Sequence, residues 1–181
     1  MKQVSLSALV LAALVLPTSA ANAEAPDAIS VRGEALVATV HAVGSQVYEC
    51  RFNTAGNLVW QFREPIASLF IDGKTVGRHY AGPHWEMSDG SVVRAKVAGN
   101  ALGASHNDIP LLKLEVTESH GSGHLSGVTT IQRLNTRGGF TDATCNAAGT
   151  FLSVPYTADY AFYRKMRASL PAESFEHLAD F

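Results

Sequence analysis

The feature that most constrains the fold is a strict alternation of apolar and polar residues, repeated in short runs with turn signals between them. Tyr48, Cys50 and Phe52 alternate with Glu49 and Arg51, and after the turn-rich Asn53-Thr54-Ala55-Gly56-Asn57, Leu58, Trp60 and Phe62 alternate with Gln61 and Arg63. A period of two puts every second side chain on one face of a strand, so the pair reads as a hairpin with one apolar face. The pattern returns in Val93, Ala95 and Val97 and again in Leu112, Leu114 and Val116, while Val128 to Leu134 is β-branched at its start and Tyr156 to Tyr163 is aromatic. Turn signals fall at Asp72-Gly73, Asp89-Gly90, Gly99-Asn100, Gly121-Ser122-Gly123 and Arg137-Gly138-Gly139. Short strands at this spacing predict a mainly β chain, a single antiparallel β-barrel or β-sandwich. Full closure would remove exposed strand edges. Helix is expected only in the tail, where Ser169-Leu170-Pro171-Ala172-Glu173 offers a cap-like start and Phe175, Leu178 and Phe181 follow at helical spacing.

The N-terminus has the grammar of a signal peptide. Lys2 supplies a positive start, Ala8 to Leu16 an apolar core, and Ala21-Asn22-Ala23 a small-x-small cleavage site. The apolar run is shorter than the roughly 20 residues a spanning helix needs, and no second one follows. The expected organisation is a signal peptide over 1–23 and one β-rich domain over 24–181, with a core to 163 and a tail from 164. The expected location is the periplasm or the medium. In such an oxidising compartment the two cysteines, Cys50 and Cys145, read as a disulfide. Closing so long a loop stabilises by about 4–5 kcal/mol in the chain-entropy model. Two free or metal-binding thiols are the alternative.

Charge argues against some partners. Removing Lys2 from the 14 Lys and Arg leaves 13 against 16 Asp and Glu, a net charge of −3, and no basic run or stripe occurs. Nucleic-acid binding, in which phosphate contacts dominate affinity, is not expected, nor is electrostatic docking to a membrane.

Several segments together carry a resemblance. Tyr48-Glu49-Cys50, Gly77-x-His79-Tyr80-Ala81-Gly82-Pro83-x-Trp85-Glu86 and Asp89-Gly90-Ser91 come first. Ile109-Pro110-Leu111-Leu112, Val128 to Thr136 with Gly138-Gly139, Cys145, and Val154-Pro155-Tyr156-Thr157-Ala158-Asp159-Tyr160-x-Phe162-Tyr163 follow. This combination resembles a family of exported bacterial and fungal proteins known as domain of unknown function three-four-five-five. The resemblance runs from about Pro26 to Tyr163. Leu111 stands where the family usually has Trp. The family implies export and a compact domain, and supplies no catalytic residues.

The densest chemistry lies at Gly77 to Ser91. If Ala81-Gly82-Pro83 is a turn, His79 and His84 are expected as near neighbours across it, with Glu86 on the same face as His84. Two imidazoles and a carboxylate could hold zinc or another divalent ion with a coordination position left open, lowering the pKa of a bound water for hydrolysis. The spacing matches no zinc signature such as His-Glu-x-x-His. The other reading is a tight turn, with Trp85 and Tyr80 in the core and His79 bonded to a buried carbonyl. His120 and His124 bracket Gly121-Ser122-Gly123, either a clamp for a metal or anion or an exposed hairpin tip. Glu86 and Asp89 could form an acid/base pair, or Asp89 could simply open an Asp-Gly turn. Arg133 could fork onto a carboxylate or phosphate ligand, or pair with an acidic residue on the next strand.

No nucleophile elbow, dinucleotide fingerprint, P-loop or Cys-x-x-Cys spacing occurs. The preferred function is therefore non-catalytic: a small-ligand-binding or envelope-associated module without cofactor, its pocket lined by aromatics such as Trp60, Tyr80, Trp85 and Tyr156, with Arg133 as a polar contact. The alternative is a metal-assisted hydrolase or oxidoreductase using His79, His84 and Glu86.

Overall fold

The computed structural model describes residues 25–166. The signal peptide and the tail helix expected after Ser169 lie outside the described residues. Within them the only helical element is a 3-10 turn, Asp27–Ile29. The rest is strand: β1 Glu34–Phe52, β2 Leu58–Ile71, β3 Lys74–Tyr80, β4 His84–Met87, β5 Val92–Ala101, β6 Leu111–His120, β7 Thr130–Gly138 and β8 Phe151–Lys165. Each strand pairs antiparallel with the next, and β8 pairs with β1, so the sheet closes into a barrel without edges. At eight strands the interior is wide enough to be filled by side chains or to hold one small ligand.

The hairpin read from the alternation is present in the expected register, with Tyr48 opposite Phe62, Cys50 opposite Trp60 and Phe52 opposite Leu58. Asn53 holds its turn by accepting the Ala55 and Asn57 amides on its side-chain oxygen, at 3.0 and 2.9 Å. Further along, the alternation changes phase. Val47 pairs with Glu64 but Tyr48 with Phe62, so Arg63 is an extra residue on β2. Such a bulge shifts which residues face inward. Trp60 and Phe62 therefore share the interior with Pro65, Ala67 and Leu69.

The Gly99-Asn100 turn signal does not mark a turn. β5 runs through to Ala101, with a register shift between Val97 and Gly99. The glycine is needed because the 3-10 segment crosses the outside of the barrel there: a Cβ on Gly99 would lie 2.1 Å from the Ala28 carbonyl oxygen. A strand glycine under a crossing backbone is the other meaning of that signal. Gln132 secures the crossing by donating to the Ile29 carbonyl at 2.6 Å.

The two ends of the barrel differ. At one end the β6–β7 connection folds inward, burying Leu125 and Val128 in the same core as Val93, Trp85 and Phe162. Asp89 pins this plug. Its carboxylate accepts the Ser91 hydroxyl at 2.6 Å, the Ser91 amide at 2.9 Å and the His124 amide at 2.8 Å, and it pairs with the His124 ring. These bonds hold the carboxyl of Asp89 well below the usual carboxylate range, those with Ser91 foremost. At the other end the strands open onto the turn at Ala81–Pro83 and the connections 102–110 and 139–150.

Candidate functional site

The open end leads into a cavity of about 680 Å³. Its floor is a stack of aromatic rings. Trp85 lies parallel to His79, with centroids 4.3 Å apart and planes 13° from parallel, and meets Tyr160 edge-on at 5.2 Å. Strand register produces this cluster: His79 is directly opposite Trp85 across β3 and β4, and the barrel closure brings β8 over them. The walls are mainly apolar, with Tyr48, Trp60, Phe62, Leu112 and Leu114 among them, and Ile109, Pro110 and Phe140 reach in from the connections.

The rim is tied down. The Cys50–Cys145 disulfide forms, with 5.8 Å between Cα atoms and 95 positions between the residues, and it fixes the β7–β8 connection to the end of β1. Asp108 accepts the Gly138 amide at 2.6 Å and the Ser105 hydroxyl at 2.8 Å. Ile109 donates its amide to Gly138 and Phe140 its amide to Asn107. These bonds fasten the two long connections to each other.

The polar groups of the cavity are few. His79 is 3 % exposed and donates from Nδ1 to the His84 carbonyl at 2.8 Å. Burial pushes its pKa down to about 3, and the charge of Arg133 pushes in the same direction. His79 is therefore neutral at pH 7. Arg133 lies opposite Tyr160 across β7 and β8 and opposite Leu112 across β6 and β7. Its Nε donates to the Pro110 carbonyl at 2.9 Å. Burial raises the pKa of Tyr160, which the nearby guanidinium partly offsets. The Gln46 and Trp85 side-chain nitrogens and the Tyr160 hydroxyl are buried with no hydrogen-bond partner among the described residues.

The histidine-rich stretch does not assemble as a metal site. His84 pairs across the turn with Tyr80, not with His79. Successive strand residues face opposite sides, so His79 faces the interior while His84 and Glu86 face outward. His84 stacks on Tyr80 at 5.1 Å and bonds the Ala81 carbonyl at 2.6 Å. Glu86 accepts Arg78 at 2.8 Å and the Tyr80 hydroxyl at 3.0 Å, and Arg78 foremost lowers its pKa. Among the described residues no three His, Cys, Asp or Glu side chains gather as metal ligands. The expected His79, His84 and Glu86 constellation is thus corrected by the parity of the turn: the two-residue stagger that aligns His84 with Glu86 excludes His79. Glu86 and Asp89 are likewise separated, each in its own hydrogen-bond set.

The aromatic expectation divides. Trp60 and Trp85 line the cavity. Tyr80 is on the outer face, and Tyr156, 2 % exposed, is packed in the core. Arg133 lines the cavity, and its cross-strand neighbours are Leu112 and Tyr160, so no acidic residue stands opposite it on the next strand. The alternation could have given Tyr48, Phe62, Leu112 and Leu114 as inward-facing. Gln46, Ile109, Pro110 and Phe140 reach the cavity through loop conformation and the long unread stretch of β1, for which the alternation carries no signal.

Residues 31–164 match the family model described as Protein of unknown function (DUF3455). No curated protein and no solved structure matches the chain.

Proposed function

The chain belongs to that family, and we propose that it is an exported, non-catalytic module that binds a small, largely apolar molecule in the open end of its barrel. The observation that carries this reading is the 680 Å³ cavity with aromatic floor and walls, a size and lining that suit one small molecule. A disulfide suits an oxidising compartment, and no described helix is long and apolar enough to cross a membrane. The rim bonds keep the mouth formed before a ligand arrives, which lowers the ordering cost of binding. The cluster of His79, Trp85 and Tyr160 acts as a floor, with His79 buried and hydrogen-bonded. An envelope component with an apolar moiety is one source of such a ligand.

The chain has two tryptophans, Trp60 and Trp85, and both line the cavity. The test is titration with the neutral apolar dye N-phenyl-1-naphthylamine, read by dye enhancement and by quenching of tryptophan fluorescence. Saturable one-to-one binding in the parent, weakened in Val97→Phe at the mouth, is expected. No saturable binding in the folded protein would defeat the reading.

A further inference from the structure

We propose that the ligand of this cavity is an apolar monocarboxylate whose head group is held by Arg133. The inference rests on the cavity being a binding site, and it names the class of molecule bound.

The lining contains no Asp or Glu. It contains two arginines, of which Arg63 is already neutralised by Glu64 at 3.1 Å and Glu49 at 3.9 Å. Arg133 has no such partner among the described residues. Its charge is permanent, and it is felt through the cavity, lowering the pKa of His79 and opposing the burial-driven rise at Tyr48, Tyr156 and Tyr160. The Pro110 carbonyl occupies Nε. That bond fixes the plane of the guanidinium. The terminal nitrogens lie beside the Tyr160 hydroxyl and face no carboxylate among the described residues, and they are the pair that grips a carboxylate side by side.

The unpartnered polar atoms of the lining point to an acceptor. The Gln46 Nε2, the Trp85 Nε1 and the Tyr160 hydroxyl all belong to lining side chains, and each can donate. The Gln46 and Trp85 nitrogens can only donate, and a buried donor without an acceptor is costly, so what these two lack is an acceptor. A carboxylate supplies two acceptor oxygens and one negative charge. A dianion such as a phosphate monoester would bring a second charge into an apolar enclosure that has one free guanidinium, and that charge would stay uncompensated. The remaining walls, Trp60, Phe62, Leu112 and Leu114, ask for an aliphatic or aromatic body.

The experiment is displacement of N-phenyl-1-naphthylamine by 2-naphthoate and decanoate, each beside its primary amide, in the parent, Arg133→Met and Arg133→Lys. The parent should prefer each acid over its amide by about tenfold or more, the scale of a charge-assisted hydrogen bond. Arg133→Met should lose that preference while still binding the neutral dye, and Arg133→Lys, which keeps the charge without the fork, should retain part of it. Equal affinity of acid and amide in the parent, or a preference that survives in Arg133→Met, would overturn the assignment. The parent comparison stands even if a variant fails to fold. Failure of the dye to bind the parent would instead defeat the cavity reading on which the assignment rests.

Discussion

Tyr48 donates its hydroxyl proton to the Gly139 carbonyl at 2.6 Å. The bond joins the C-terminal part of the longest strand to the first residue of the β7–β8 connection, and it does so at the wall of the cavity. A few residues on, Cys50 holds the same connection through Cys145. One short segment of β1 therefore positions both a wall of the cavity and its rim, and the disulfide is as much a device of the site as of the fold.

Reduction should accordingly act on stability and on the mouth together. The double variant Cys50→Ala/Cys145→Ala is expected to lose about 2–4 kcal/mol and to bind the neutral dye more weakly than the parent at a temperature where both are folded. Urea denaturation and dye titration measure the two effects. Unchanged stability after reduction would show that the bridge contributes nothing to the fold.

Gly44 is a second point of tight geometry. It faces Ala67 on β2 and Tyr156 on β8, and a Cβ there would lie 2.1 Å from the Ile66 carbonyl oxygen and 2.5 Å from the Ala67 Cα. Both neighbours are backbone and cannot rotate away. Gly44→Ala should cost about 1–3 kcal/mol by overpacking, seen as a lower urea midpoint with an unchanged strand spectrum by circular dichroism. An unchanged midpoint would mean that the strands separate there at no cost.

The alternation made the strands legible because an apolar face leaves a period-two trace at Tyr48 to Phe62, Val93 to Val97 and Leu112 to Val116. It did not reveal the larger, N-terminal part of β1, Glu34 to Val47, where the small residues Ala38, Ala42 and Gly44 blur the pattern. Nor did it reveal the Arg63 bulge, since one extra residue changes the phase without changing composition. The site was legible by halves for the same reason. Trp60 and Arg133 follow from strand parity, whereas Ile109, Pro110 and Phe140 are placed by connections that no periodicity describes. The His79, His84 and Glu86 grouping failed on parity alone: the pairing of Tyr80 with His84 puts the two histidines on opposite faces.

Asp89 links the plug to the barrel, and its carboxyl is held below its ordinary range chiefly by Ser91 and then by His124. A carboxylate with a depressed folded pKa gives stability that is complete above the unfolded value near 4 and is lost as pH falls toward the folded one. Asp89→Asn should therefore be less stable than the parent by about 1–2 kcal/mol at pH 7, and the gap should narrow below about pH 4, where the unfolded parent takes up a proton at this carboxyl that the folded protein does not. Urea midpoints of both proteins from pH 7 to pH 2 measure this. A gap of constant size across that range would show that the negative charge is not what holds the plug.

His79 should control stability over a higher window. Burial first, and the charge of Arg133 with it, holds its pKa at about 3 in the folded protein, against about 6.5 in an unfolded chain. The sign follows from which state takes up the proton. Above about 6.5 neither state is protonated at this site and the fold has its full stability. Between about 6.5 and about 3 the unfolded chain binds a proton that the folded chain refuses, so stability falls with decreasing pH at up to about 1.4 kcal/mol per unit. Below about 3 both states are protonated and the loss is complete. His79→Asn keeps a donor for the His84 carbonyl but cannot titrate. Its stability should fall less steeply between pH 6 and pH 4, by nearly one proton's worth of slope. Parallel slopes for variant and parent would mean that the imidazole accepts charge inside the barrel at no cost, which an aromatic floor 3 % exposed at His79 does not permit.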